Sequence, residues 1–402
     1  MQIQSFGEDV GIATNRKIVV VADDFTGAAE LAGIGHRYGL ETEVHTRFHP
    51  QAEAELVCLD LGTRSGTASE AENKVRHLTH ALRERRVELI FKKTDSVLRG
   101  HVLAELEALL EGLSRPRALL VPANPSAGRT ISQGRYWIHG RLLHETDFAR
   151  DPEYPARTSD VLGLLGSSRM PTSVCKPDDE LPERGIVVGE ATAPEQVRVW
   201  AARVSAEMVP AGGAEFFEAV LRDRGLSQAR HSTAPAADVW EERGVLFVFG
   251  SSSGNSRRFL AQLRARGFPA SCLPCDLSRE DALSDGCLQA WYEASLGVLE
   301  REGRVVVAVD QPVKNAPGLP VRLADFTARL VEKLVHATRL AELVIEGGAT
   351  ASAVLARLDW QRFAVVQEFA PGVVRMRVVG RQEHVTVKPG SYPWELGVGY
   401  WV

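Results

Sequence analysis

Short, nearly uninterrupted apolar runs recur along the chain and alternate with longer stretches whose apolar positions fall at helical spacing. The first run, Lys17 to Ala22, leads into a polar turn at Asp23 to Gly27 and then a helical stretch that reaches Tyr38 and stops at Gly39. The same reasoning predicts strands at Glu55 to Leu61, Val87 to Lys93, Ala118 to Pro122, Gly185 to Gly189, Gly244 to Phe249, Arg304 to Asp310 and Ala341 to Glu346. Helices are predicted over Ser69 to Arg86, Leu103 to Leu113, Pro194 to Met208, Ser256 to Arg266, Leu323 to Arg339 and Ala351 to Leu358. Strands apolar on both faces, joined by helical crossovers, imply sheets covered by helices on both sides. The predicted fold class is therefore α/β, with mostly parallel sheets. Leu226 to Arg243 is rich in Ala, Pro, Ser and charge without apolar periodicity and reads as a linker, which gives two α/β domains, residues 1–235 and 236–402. After Phe363 the pattern changes to short β-like segments, Val373 to Val379 and Glu383 to Lys388.

Composition narrows the function classes. The length, 402 residues, suits two or three domains, and 44% hydrophobic with 25% charged residues suits a globular chain and excludes a disordered or fibrous one. The net charge is −5 and no basic run is long enough to form a polyanion footprint, so neither nucleic acid nor a membrane surface is an expected partner. The longest apolar runs, Val245 to Phe249 and Val305 to Val309, fall far below the ~18 residues of a membrane span. The expected partner is a small molecule, and a homo-oligomer is compatible with the sequence. Five Cys argue against a disulfide framework, and with no basic segment ahead of an apolar N-terminal stretch a cytoplasmic location is expected. Cys272-Leu-Pro-Cys275 has no second pair at metal-site distance, and His139 and His144-Glu145 lack the spacing of a helical zinc pair, so inert roles and no metal site are expected there.

Ligands in open α/β sheets collect at the carboxyl ends of strands. Three successive turns in the N-terminal half carry charge at that edge: Asp23-Asp24-Phe-Thr26-Gly27, Gly62-Thr63-Arg64-Ser65, and Lys92-Lys93-Thr-Asp95-Ser96-Val-Leu-Arg99-Gly100. Each has a plain alternative as a helix cap. Taken together, Arg64 and Arg99 suit a carboxylate or phosphate, while Asp23, Asp24 and Asp95 suit hydroxyls, and a small hydroxylated acid satisfies both sets. In the C-terminal half, Glu346-Gly347-Gly348-Ala349-Thr350-Ala351 follows a strand and opens a helix, a geometry that cradles phosphate on bare backbone N–H groups. Gly250-Ser251-Ser252-Ser253-Gly254 lies in a similar setting. No Lys follows a Gly anywhere, which excludes a P-loop, and Gly33-x-Gly35-x-x-x-Gly39 lies at the end of a helix instead of before one, which argues against a dinucleotide fingerprint. The rival reading is a serine hydrolase with Ser252 in a Gly-x-Ser-x-Gly elbow, Asp310 as acid and His336 or His384 as base.

With these residues laid out, nearly the whole chain resembles the four-carbon acid sugar kinase family. The segments that carry the resemblance are ADDFTGAAE at 22–30, TRSGTASEA at 63–71, KKTDSVLRGH at 92–101, the run from Pro122 to Pro155, FGSSSGNSRRFLAQL at 249–263, EGGATASAVLARL at 346–358 and VKPGSYPWE at 387–395. The resemblance implies transfer of phosphate from ATP, with Mg2+, to the terminal hydroxyl of threonate, erythronate or a 3-oxo-tetronate. It implies a sugar-acid site in the N-terminal domain, a nucleotide site in the C-terminal one, and both ligands in the cleft between. Carried over by position, it suggests Asp23, Asp24, Arg64, Asp95, Ser96 and Arg99 for the sugar acid; of the acids that would grip its hydroxyls, Asp24 or Asp95 is the expected catalytic base. For the nucleotide it suggests Ser251, the turn Gly347, Gly348, Ala349 and Thr350, and Gly390. Ala349 stands where the family usually has an acid, and KPGSYPWE differs from the usual last turn, so a non-catalytic sugar-acid-binding relative is a further alternative. Only 8 of the 47 cationic residues are Lys, and three of them, Lys92, Lys93 and Lys388, fall in these segments and are expected to face the cleft.

Overall fold

The computed structural model describes residues 17–151, 153–229, 244–250, 254–279, 282–311 and 318–390. Ser251, Ser252 and the boundary placed at residue 235 lie outside the described residues, as does all but the start of the linker. The N-terminal half opens with β1 (Ile18–Ala22), α1 (Phe25–Arg37), β2 (Thr42–His45), β3 (Leu56–Asp60), α2 (Ala68–Arg83), β4 (Leu89–Lys93), α3 (Val102–Leu113) and β5 (Arg117–Val121). A small antiparallel sheet of β6 (Arg129–Ser132), β7 (Arg135–Ile138) and β8 (Arg141–Leu142) follows. Then come α4 (Val161–Leu165), β9 (Thr172–Cys175), β10 (Gly185–Gly189), α5 (Pro194–Ala202), β11 (Met208–Gly212) and α6 (Ala214–Asp223). The C-terminal half contains β12 (Gly244–Phe249), α7 (Gly254–Ala265), β13 (Ala270–Cys272), α8 (Asp285–Glu302), β14 (Arg304–Ala308), α9 (Leu319–Ala337), β15 (Leu340–Glu346), α10 (Gly348–Arg357), β16 (Arg362–Ala370), β17 (Val373–Val378) and β18 (His384–Lys388).

The fold is α/β, as the alternation of runs predicts. Fifteen strands form one sheet in the order β13-β14-β12-β15-β18-β17-β16-β2-β3-β1-β4-β11-β5-β10-β9. Pairing is parallel except around β16 and β17, which run antiparallel to their neighbours. The two halves meet where Arg362, Phe363 and Ala364 of β16 pair with His45, Val44 and Glu43 of β2. Arg362 reinforces the seam with a two-point ion pair to Glu43, at 2.9 and 3.0 Å.

The structure departs from expectation at several elements. The helix predicted to run from Pro194 to Met208 ends at Ala202, and Met208 instead begins β11. Pro210 hides that strand from a pattern search, since Pro cannot donate to a ladder; the pairing of β11 with β4 is confined to Ala211 and Gly212. The glycines Gly33 and Gly35 serve packing. A Cβ on Gly33 would lie 2.8 Å from Val374 Cγ2. One on Gly35 would overlap Leu56. Their absence lets α1, buried from Phe25 through Gly35, lie against β3 and β17 at once. Cys275 is bonded to Cys287 in the first turn of α8, so the inert role expected of Cys275 is corrected.

Candidate active site

β1, β3 and β4 are adjacent and parallel, so their carboxyl ends deliver Asp23-Asp24, Asp60 and Lys93-Thr94-Asp95 to one edge. Asp24 N-caps α1, its Oδ1 accepting from Gly27 N at 2.8 Å and its Oδ2 from Thr26 Oγ1 at 2.7 Å. Both the capping role and the clustering are therefore present. Arg64 donates to Asp23 through Nε and Nη2, at 2.7 and 3.0 Å, and to Asp24 through Nη1, at 2.8 Å. Arg99 grips Asp95 at two points, 2.8 and 3.0 Å, and reaches Asp151 at 2.8 Å. Asp23, Asp24, Arg64, Asp95, Ser96 and Arg99 are thus brought together as expected. The acids and arginines hold one another, however, so both guanidiniums are already engaged by carboxylates.

Electrostatics separate the acids. Burial opposes ionisation of Asp95, but Arg99 and Arg64 outweigh it and hold the carboxyl well below the usual range. Such a carboxylate is a weak proton acceptor. Asp23 is likewise held low by Arg64 and Lys92 against the effect of its burial. Asp60 runs the other way: burial, reinforced by the charge of Asp24, pushes it up to about 7. It accepts from Gly62 N at 2.7 Å and lies 3.5 Å from Ser352 Oγ of α10. Sequence reasoning missed Asp60 because it lies inside the run predicted as a strand, Glu55 to Leu61, whereas β3 ends at Asp60 and so places it at the carboxyl edge.

The raised Asp60 has a stability consequence. Between about pH 4 and pH 7 the unfolded chain has released this proton and the folded chain retains it, so stability falls as pH rises through that window and then levels off. Asp60→Asn keeps an acceptor for Gly62 and removes the charge. The variant is expected to be more stable than the parent at pH 8, by on the order of 4 kcal/mol, and so to melt higher, with the gap closing toward pH 4. Thermal melts across that range check this; an unchanged gap overturns it.

The glycine turns of the C-terminal half meet at a single place. β12 and β15 are adjacent and parallel, and β15 pairs with β18. Gly250 lies directly under Thr350, where any Cβ would overlap the threonine side chain. A Cβ on Gly390 would come within 4.0 Å of Gly347 Cα, and Gly347 N donates to Lys388 O at 2.9 Å. Gly347 has φ +94°, a conformation natural only to glycine, and it opens α10. Gly348 brings the α10 turn against the N-terminal half at the site: a Cβ there would lie 2.7 Å from Asp24 Oδ2. Ala349 is exposed on the first turn of α10.

The three lysines expected to face a cleft do not. Lys92 is fully buried and pairs with Glu105 at 3.0 Å. Lys388 is fully buried and pairs with Glu346 at 3.0 Å. Lys93 is buried, lies beside Gly27 and pairs with Glu30 at 3.4 Å. They clamp strand ends from within.

Of the hydrolase triad, Ser252 lies outside the described residues, and among the described residues no contact joins Asp310 to His336 or His384. Asp310 binds Arg264 at 2.8 Å. His384 stands opposite Glu342, four residues before the carboxyl edge marked by Lys388 and Glu346, which is ~13 Å along the strand. Burial, with Arg375 and Arg377 nearby, lowers its pKa to about 4. His336 sits exposed in the last turn of α9.

Residues 18–208 match the family described as "Sugar-binding N-terminal domain", and residues 246–392 match "Nucleotide-binding C-terminal domain". The D-threonate kinase of Bordetella bronchiseptica is 30% identical over 407 residues, covering 93% of this chain and 94% of that one. The chain belongs to the four-carbon acid sugar kinase family. The 3-oxo-tetronate kinase of Brucella melitensis, another relative of this sugar-acid kinase chain, is 25% identical over 94% of this chain and 93% of its own. A solved Haemophilus influenzae protein shares the fold, with TM-score 0.69 at 20% identity, over 96% of this chain and 100% of that one. Among the described residues no helix is long and apolar enough to cross a membrane.

Proposed function

We propose that this sugar-acid kinase transfers the γ-phosphoryl group of ATP to the terminal hydroxyl of a four-carbon sugar acid, a threonate, an erythronate or a 3-oxo-tetronate. One observation carries the reading: Gly348, at the start of α10, lies against Asp24 Oδ2. A phosphate cradle and a hydroxyl-binding carboxylate therefore share a boundary. The N-terminus of α10 offers N–H donors and the positive end of the helix dipole, and α10 has ten residues. Gly347, Gly348 and Thr350 would hold the phosphates, with Gly250 and Gly390 leaving the backbone bare on either side.

Asp24 is the base we assign. The substrate hydroxyl gives its proton to the carboxylate as its oxygen bonds to the γ-phosphorus and the bond to the β-γ bridging oxygen breaks, releasing ADP. Arg64 holds Asp24 and Asp23 in place, and Arg99 holds Asp95. Phosphoryl transfer needs positioning and charge neutralisation above all.

The donor set also suits Mg2+. Among the described residues no group of three or more His, Cys, Asp or Glu forms a cage, and Mg2+ in such enzymes is held through one or two carboxylates plus substrate phosphates. Asp60, whose proton affinity is raised by burial and by the charge of Asp24, would supply one such carboxylate, leaving Asp24 to act as base. The ion would neutralise charge developing on the phosphate oxygens.

The test is a coupled ADP-release assay with D- and L-threonate, the erythronates and 3-oxo-tetronates. ADP release dependent on one of these acids is the expected result. Tetronate binding without ADP release would favour a non-catalytic relative, and release independent of any acid would sink the reading.

A further inference from the structure

A small acid needs a cation for its carboxylate, and the cations expected to provide it are engaged elsewhere. Arg64 spends its donors on Asp23 and Asp24, Arg99 on Asp95 and Asp151, Lys92 pairs with Glu105 and Lys93 with Glu30. Asp23, Asp24, Asp95 and Asp151 gather around Arg64 and Arg99, and Lys92 and Lys93, the other cations that act on Asp23 and Asp95, are each paired with a glutamate. One further cation reaches this cluster. Arg129 is half-buried, and its Nη1 donates to Ser96 Oγ, the residue next to Asp95. Among the described residues no carboxylate lies within ion-pair distance of its guanidinium, and only Nη1 is engaged by a side chain.

The surroundings hold Arg129 in place. Its backbone exchanges two hydrogen bonds with Asn124, at 2.8 and 3.0 Å, just beyond the carboxyl end of β5. β5 pairs with β11, which pairs with β4, so this is the same edge that presents Asp95. Ser96 is itself fixed, because the fully buried Tyr136 donates to its carbonyl. Arg129 also lines a cavity of about 460 Å³ that it shares with Arg37, Glu30, Glu215, Glu218 and Glu368, and no residue of the aspartate cluster lines that cavity, so it is through Ser96 that Arg129 reaches the cluster. A guanidinium fixed at its base, tethered at one nitrogen and open at the others is built to take a carboxylate by two parallel N–H bonds.

We infer that Arg129, oriented by Ser96, binds the carboxylate of the sugar acid and sets the preference for an acid over a neutral polyol. The inference rests on the sugar-acid kinase reading and assigns within it a residue role that Arg64 and Arg99 do not fill.

Calorimetric titration of the full chain with threonate and erythronate, and with the matched neutral tetritols threitol and erythritol, tests it. The wild type is expected to prefer the acid, and Arg129→Gln to lose affinity for the acid on the order of 10²-fold while its tetritol affinity stays unchanged. A variant that keeps the parental preference overturns the inference. A measurement on the wild type guards against a variant that fails to fold: phenylglyoxal labelling of Arg129, read by peptide mass spectrometry, is expected to be suppressed by tetronate and not by tetritol. Equal labelling with and without tetronate overturns the inference. Phosphorylation of a tetronate by the wild type together with an unaltered Arg129→Gln variant overturns the inference alone. A wild type that neither binds nor phosphorylates any tetronate overturns the proposed function as well.

Discussion

Asp24→Asn is expected to reduce turnover with the preferred tetronate by about 10² or more while leaving the fold intact. Asn is as good an N-cap as Asp, so the bond from Gly27 N survives and α1 keeps its start. What disappears is the proton acceptor at the contact with Gly348 and the charge that engages Arg64 Nη1. Because Arg64 retains its two-point grip on Asp23, it should stay in place, and the loss should fall on kcat more than on KM. Steady-state kinetics with a matched melting curve separates the effects. Parental kcat would remove Asp24 as base, leaving Asp60 as the neighbouring carboxylate to examine.

The second large effect is on stability. Lys92 is fully buried, with Nζ 3.0 Å from Glu105 Oε2 and 2.8 Å from the carbonyl of Lys93. Glu105 in turn accepts from Thr63 Oγ1, one residue before Arg64. Lys92→Met would strand a buried carboxylate, a change that costs about 3–5 kcal/mol. A fall in melting temperature on the order of 5–10 °C is expected, with activity reduced through the displaced Arg64 loop. The double variant Lys92→Met, Glu105→Leu should recover most of the loss, since an apolar pair of similar volume replaces a buried ion pair at little net change. A double variant no better than the single one would show that the instability has another origin.

The carboxyl edge was legible in the sequence because its logic is local. An apolar run followed by a charged turn is enough to place Asp23, Asp24, Arg64 and Asp95 near one another once the strands are parallel. What spacing does not reveal is how charges pair across turns. Arg64 and Arg99 look equally suited to a ligand or to neighbouring acids, and in the fold it is the acids that take them. The same limit explains the lysines, since a Lys at the end of a buried strand reads as pointing to ligand when its partner, Glu105 or Glu346, lies elsewhere in the sequence. Arg129 was hidden for a different reason: the small antiparallel sheet that carries it lacks the sustained period that marks the larger sheet. β2, only four residues long, and β11, with its proline, fell below the same threshold.

The pairing of β2 with β16 bears on how the protein can be divided. Between them, three residues on each strand close the seam in the sheet. Cutting the chain between its halves would leave β2 and β16 each with a raw row of unpaired N–H and C=O groups, the template on which proteins join edge to edge. Separately produced halves are expected to self-associate in gel filtration, and to become well-behaved only when mixed. In this family member, a gene split is tolerable only if both pieces are made together.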